Sequence, residues 1–182
     1  GSLTLNGAFV VAGVAQLTEQ RKVGIASTGD LSLITFTVYG TDHAGNAISE
    51  SLAGPHNNTV STTFDFLTVN QVAASAAVGT DVTVGTTGVG ASQPLPLDIY
   101  LDPFNTSLFI DVTGTVNVTL QYTGDDNVLT SVGPFVWFDH SDLTGVAADD
   151  VGTIISPVTA VRLVTNSGTG SAELTVLQAG VQ

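Results

Sequence analysis

Asp139-His140-Ser141-Asp142 sets a carboxylate, an imidazole and a hydroxyl side by side, the three groups a hydrolytic triad uses. A working triad draws them together from distant loops and places the nucleophile beside an oxyanion hole. Contiguous residues in one loop do not meet that geometry, and no Gly-x-Ser-x-Gly elbow occurs. The segment is expected to be a solvated loop, and the chain is not expected to be an enzyme. Its acids offer a second chemistry. Asp125, Asp126, Asp139, Asp142, Asp149 and Asp150 carry the hard oxygen ligands that Ca²⁺ prefers, without EF-hand spacing. A Ca²⁺ site at Asp125, Asp126, Asp139 and Asp142 needs the fold to gather them. Otherwise they form an acidic rim, and no cofactor is expected. His43, His56 and His140 lack metal-ligand spacing, and each falls in a turn or loop where exposure is the default.

Phe135-Val136-Trp137-Phe138 reads as a dense aromatic strand. Trp137 suits a carbohydrate-stacking platform or, more commonly, a core or interface position. Arg162 sits between Val161 and Leu163 in a predicted strand. A buried face there calls for an Asp partner, because an unpaired buried charge is costly. Arg21-Lys22 falls short of a basic patch. Sequons open at Asn57, Asn105 and Asn117, a frequency expected by chance in a Thr-rich chain.

The elements that must position these groups are announced by composition. The 182 residues include 26 Thr, 25 Val and 20 Gly, with sixteen acids against three bases and a net charge of −13. Branched Thr and Val fit extended backbone, and Gly punctuates turns. A nucleic-acid partner is not expected without clustered Lys or Arg, nor is an anionic membrane surface. With no Cys there is no disulfide and no thiolate site. No basic stretch precedes the apolar residues 5–17, and no run of 18 apolar residues occurs, so neither a signal peptide nor a membrane span is expected. Only 10% of residues are charged, against about 25% in ordinary soluble domains. A surface of Thr, Ser, Asn and backbone costs little to cover, which favours packing against copies or neighbours.

About eleven short strands, with turn signals roughly every 8–12 residues, predict an all-β antiparallel sandwich or jelly-roll-like barrel, with room for two small β subdomains. Residues 1–30 form an N-terminal arm or first strand, 31–90 a first β-rich half and 91–182 a second. The Gly/Ser/Pro-rich stretch 85–96 is expected to be a boundary loop. Phe9, Val10 and Val11 of the arm join Trp137 as interface candidates. Three hairpins are predicted: 31–39 with 47–52 through Asp42-His43-Ala44-Gly45-Asn46; Leu108, Ile110 and Val112 with Val116, Val118, Leu120 and Tyr122 through Thr113-Gly114; and 158–165 with 172–177.

Residues 34–60 contain Gly40-Thr41-Asp42-His43-Ala44-Gly45-Asn46, then Ile48-Ser49-Glu50, then Gly54-Pro55. This order resembles a pattern of tailed-bacteriophage virion structural proteins, in which a Gly-Thr-Asp-x-x-Gly-Asn turn leads to Ile-Ser-Glu and Gly-Pro. A Phe-containing strand follows, as at 64–69, and then Val-Thr-Val-Gly, as at 82–85. The match spans roughly residues 30–90. The resemblance implies a virion-located β protein assembling in many copies, as a capsid decoration (cement) protein or a head–tail component. Its partners would be the major capsid protein, other virion proteins and its own copies, a trimer being favoured. It implies no catalytic residues. An extracellular immunoglobulin-like adhesin or carbohydrate-binding module is the alternative, since Asp-x-x-Gly-Asn turns occur there too.

Overall fold

The computed structural model describes residues 1–131 and 135–181, and every helix-or-strand element among them is a β-strand. Among the described residues no helix is long and apolar enough to cross a membrane. The chain divides into two compact units, Gly1–Gly90 and Ala91–Gln182.

The first unit holds β1 (Val10–Val11), β2 (Val14–Asp30), β3 (Thr35–Thr41), β4 (Ala47–Ala53), β5 (His56–Ser61), β6 (Phe66–Ala74) and β7 (Val82–Ala91), which reaches the unit boundary. They run β7-β2-β6-β3-β4 across the sheet, with β1 and β5 also on β2. The long strand β2 organises this unit: its first half pairs with β6 (Ala15↔Val69) and its second half with β5 (Ile25↔Val60). Alternation then sends Ile25, Phe36, Val38, Phe66 and Val72 into one core. The predicted hairpin 31–39/47–52 forms as β3–β4, with Phe36 opposite Leu52. Phe64 and Phe66 do not share a fate: the strand starts at Phe66, which is fully buried, and leaves Phe64 exposed. The N-terminal stretch belongs to its own unit, since Leu3 N–H donates to Val72 O at 2.8 Å.

The second unit holds β8 (Leu95–Pro96), β9 (Asp102–Thr113), β10 (Val116–Thr123), β11 (Phe138–Asp139), β12 (Asp150–Ile154), β13 (Ala160–Gly168) and β14 (Ser171–Val181). One layer is β11-β10-β13 with β8 on β13; the other is β12-β9-β14. Leu108 and Ile110 of one layer meet Val118, Leu120, Val161 and Leu163 of the other in a shared core, so this unit is an antiparallel sandwich.

Four expectations are corrected. The segments flanking Thr113-Gly114 alternate as predicted but are not a hairpin, because β9 and β10 lie in opposite layers. The same holds for 158–165 and 172–177, which are β13 and β14. Period two states which side chains point inward and says nothing of which strand is the neighbour. The two crossing corners meet each other: Thr169 N–H and Gly170 N–H both donate to Thr115 O at 2.9 Å. The boundary stretch 85–96 is mostly strand, divided between β7 and β8. Among the described residues there are fourteen strands where about eleven were expected, the extra ones being two-residue strands such as β1, β8 and β11.

Candidate functional site

The turn that carries the resemblance is built by one carboxylate. Asp42 Oδ1 accepts the N–H groups of Ala44 and Asn46, each at 2.9 Å, while its Oδ2 accepts Asn46 Nδ2 at 3.1 Å. Gly45 takes φ +81, the left-handed conformation glycine adopts without strain. Gly40 is fixed by packing: a Cβ there would lie on the Thr68 carbonyl. Glu50 binds the next loop, accepting Thr63 N–H, Thr63 Oγ1–H at 2.8 Å and Phe64 N–H at 2.8 Å. These motif residues hold backbone in place, and their polar atoms are occupied in doing so.

His140 is not in a solvated position. It is 6% exposed, with Nε2 3.1 Å from Thr153 O, and Asp142 N–H donates to its Nδ1 at 3.3 Å. This pattern suits the neutral tautomer carrying its proton on Nε2. Ser141 Oγ–H donates to Asp142 Oδ1 at 3.1 Å rather than to the ring. The imidazole therefore ties the 139–146 segment to β12, with both nitrogens engaged by backbone. Further along the same segment, Leu143 and Val146 are buried core residues, and the chain enters strand β12 at Asp150. His43 is half-buried and His56 exposed. His56 Nδ1–H donates to Asp30 Oδ1 at 2.9 Å. With Ser32 N–H on the same oxygen, that bond holds the Asp30 carboxyl well below the usual carboxylate range.

The predicted calcium ligands are dispersed. Asp125 Oδ2 accepts Val136 N–H at 2.6 Å, Asp139 Oδ1 accepts Gln121 Nε2 at 2.8 Å, and Asp142 holds Ser141. Asp126 is exposed, and Asp149 Oδ1 accepts Val112 N–H at 2.9 Å. Among the described residues no three His, Cys, Asp or Glu side chains form a group suited to a metal ion.

Trp137 lies just outside a strand rather than within an aromatic one; only Phe138–Asp139 pairs with β10. The Arg162 guanidinium stacks over the half-buried indole, 4.1 Å from its centroid. Arg162 also donates from Nε and Nη2 to Gln121 Oε1, at 3.0 and 2.8 Å, and Gln121 passes the contact on to Asp139. The acid expected beside Arg162 is thus reached through an amide. One face of the indole is already covered.

Phe9, Val10 and Val11 build a hairpin tip. Val11 and Val14 are cross-strand partners around Ala12-Gly13, both at positive φ, as a two-residue primed turn requires. Phe9 is 54% and Val11 61% exposed, with Val10 half-buried. A groove of roughly 280 Å³ lies beside the tip, lined by Leu5, Phe9, Leu17, Val23, Val69 and Val84 among others, with no charged residue in its wall. In the second unit, the outward face of β12-β9-β14 sets Val151 beside Phe109, with Leu177 one register step along β14. They are 58%, 42% and 59% exposed. Phe109 and Leu177 were legible as outward from their inward neighbours Leu108 and Val176; Val151 follows Asp149-Asp150 and shows no alternation that marks it as strand. No family model, curated protein or solved structure matches the chain.

Proposed function

We propose that this chain is a non-enzymatic structural protein of a tailed-phage particle, a multicopy capsid decoration protein. The observation that carries the proposal is exposed apolar surface on a chain of few charges: the Phe9/Val11 tip with its uncharged groove, and the Phe109/Val151/Leu177 face. Such surfaces are covered at small desolvation cost, and binding only the assembled shell stabilises that shell by linkage. The resemblance over residues 30–90 supplies the particle. The Phe9/Val11 tip suits contact between copies, since an acidic chain meets its own copies best where charge is absent. A glycan-binding role for Trp137 is less favoured, because Arg162 occupies one face of the ring.

An antibody against the purified chain tests the proposal on particles banded by density from the culture that encodes it. Electron microscopy is expected to find many labels over the head. Particles without label refute a virion role, and label confined to the neck or tail refutes decoration in favour of a head–tail component.

A further inference from the structure

We propose that the outward face of the β12-β9-β14 sheet docks on a basic-edged apolar surface of the shell protein, a partner that rests on the virion assignment above. The face has two parts. Its centre is apolar, with Val151, Phe109 and Leu177 exposed and Ser107, Thr153 and Thr175 among them on the same side of the pleat. One end is acidic: Asp111 and Glu173 are direct cross-strand partners, both exposed. Like charges directly opposite one another on a sheet are unfavourable. Residues 91–182 contain one Lys or Arg, Arg162, and it is held by Gln121 and Trp137 in the other layer. The unit thus brings no spare base to the pair, and a partner's Lys or Arg is the complement that would offset the repulsion. A second copy is a poor occupant, because it brings another net −13 and no basic cluster. The edge strand β14 pairs only with β9 among the described residues and contains neither Pro nor Lys, the usual guards of an edge.

The test titrates full-length chain onto shells stripped of their own copies and reads bound chain by co-sedimentation. Two double variants are compared with wild type: Phe109→Ser with Leu177→Ser, and Asp111→Lys with Glu173→Lys. Trp137 fluorescence melts establish that each is folded, and Leu177→Thr alone serves as a milder second variant. Both double variants are expected to lose at least about tenfold in affinity, as central interface truncations do. Wild-type binding is expected to weaken with salt between about 50 and 500 mM, and the Lys variant to lose that dependence. Unchanged affinity in folded double variants overturns the assignment of this face while leaving the virion role standing. Wild type that fails to bind stripped shells, from particles that also carry no antibody label, overturns the virion role and this partner together.

Discussion

Thr106 offers the sharpest test of the second unit's core. It lies on β9 between Ile154 and Gln178 as cross-strand partners, faces inward with Phe104 and Leu108, and is fully buried. Its hydroxyl has no hydrogen-bond partner among the described residues. A buried hydroxyl left unsatisfied costs about 1–3 kcal/mol. Thr106→Val keeps the branched shape, removes that penalty and buries a further methyl worth about 0.8 kcal/mol. Tight packing around the larger group takes back up to about 1 kcal/mol. The net expectation is stabilisation by about 1–2 kcal/mol.

The assay is urea unfolding followed by fluorescence of Trp137, the single tryptophan, which lies in the same unit. With m about 2 kcal/mol/M, the midpoint should rise by about 0.5–1 M at unchanged slope. Thr106→Ser is the companion variant: it keeps the hydroxyl, loses a methyl, and should destabilise by about 1 kcal/mol. Destabilisation of the Val variant by more than about 0.5 kcal/mol, with the Ser variant near neutral, would show that the hydroxyl is bonded and refute the reasoning.

Three further outcomes are expected. Gly40→Ala forces a Cβ onto the Thr68 carbonyl and so must part β3 from β6; a loss of about 3 kcal/mol or more is expected in chemical denaturation, and a loss under 1 kcal/mol would contradict the close approach. Asp42→Ala removes a buried carboxylate that holds two backbone N–H groups of a partly exposed turn and should cost about 1–2 kcal/mol, with faster amide exchange at Ala44 and Asn46 as its local signature. For Asp30 the folded carboxyl titrates below its unfolded value of about 3.9, so its contribution is present above that pH and lost as pH falls below it. Wild type should therefore melt above Asp30→Asn at pH 5, the gap closing toward pH 2; a gap that widens in acid would reverse the sign.

The class of fold was legible because Thr, Val and Gly mark strands and turns directly, and the β3–β4 hairpin because Asp42 to Asn46 is a turn closed by its own side chains. The partners of β9, β10, β13 and β14 were not legible. A hairpin and a pair of strands facing across a sandwich bury the same alternating residues, so only the long-range contacts of the folded chain distinguish them. His140 was misplaced for a related reason. Its neighbours Asp139, Ser141 and Asp142 are polar and exposed, yet the chain turns inward for single residues at 140, 143 and 146, a spacing that no strand period reveals. Phe9 and Val11 were legible as apolar residues of an N-terminal arm or first strand, but the hairpin tip that exposes them was not. Asp111 and Glu173 were not, because their opposition exists only in the register of β9 with β14.

The division of labour between motif and surface bears on what the resemblance can carry. The two carboxylates of the 40–54 pattern are turned to the chain itself: Asp42 to Ala44 and Asn46, Glu50 to Thr63 and Phe64. A pattern of this kind is retained wherever the same corner must be folded, whatever the protein then binds. Binding must be decided by residues the pattern leaves out, and among those with apolar area to give are Phe9 and Val11 in one unit and Phe109, Val151 and Leu177 in the other. Substitutions within the motif should then lower stability and particle binding together. Substitutions on the two exposed patches should lower binding at unchanged stability. A patch variant that unfolds in parallel with its loss of binding would place that residue in the scaffold instead.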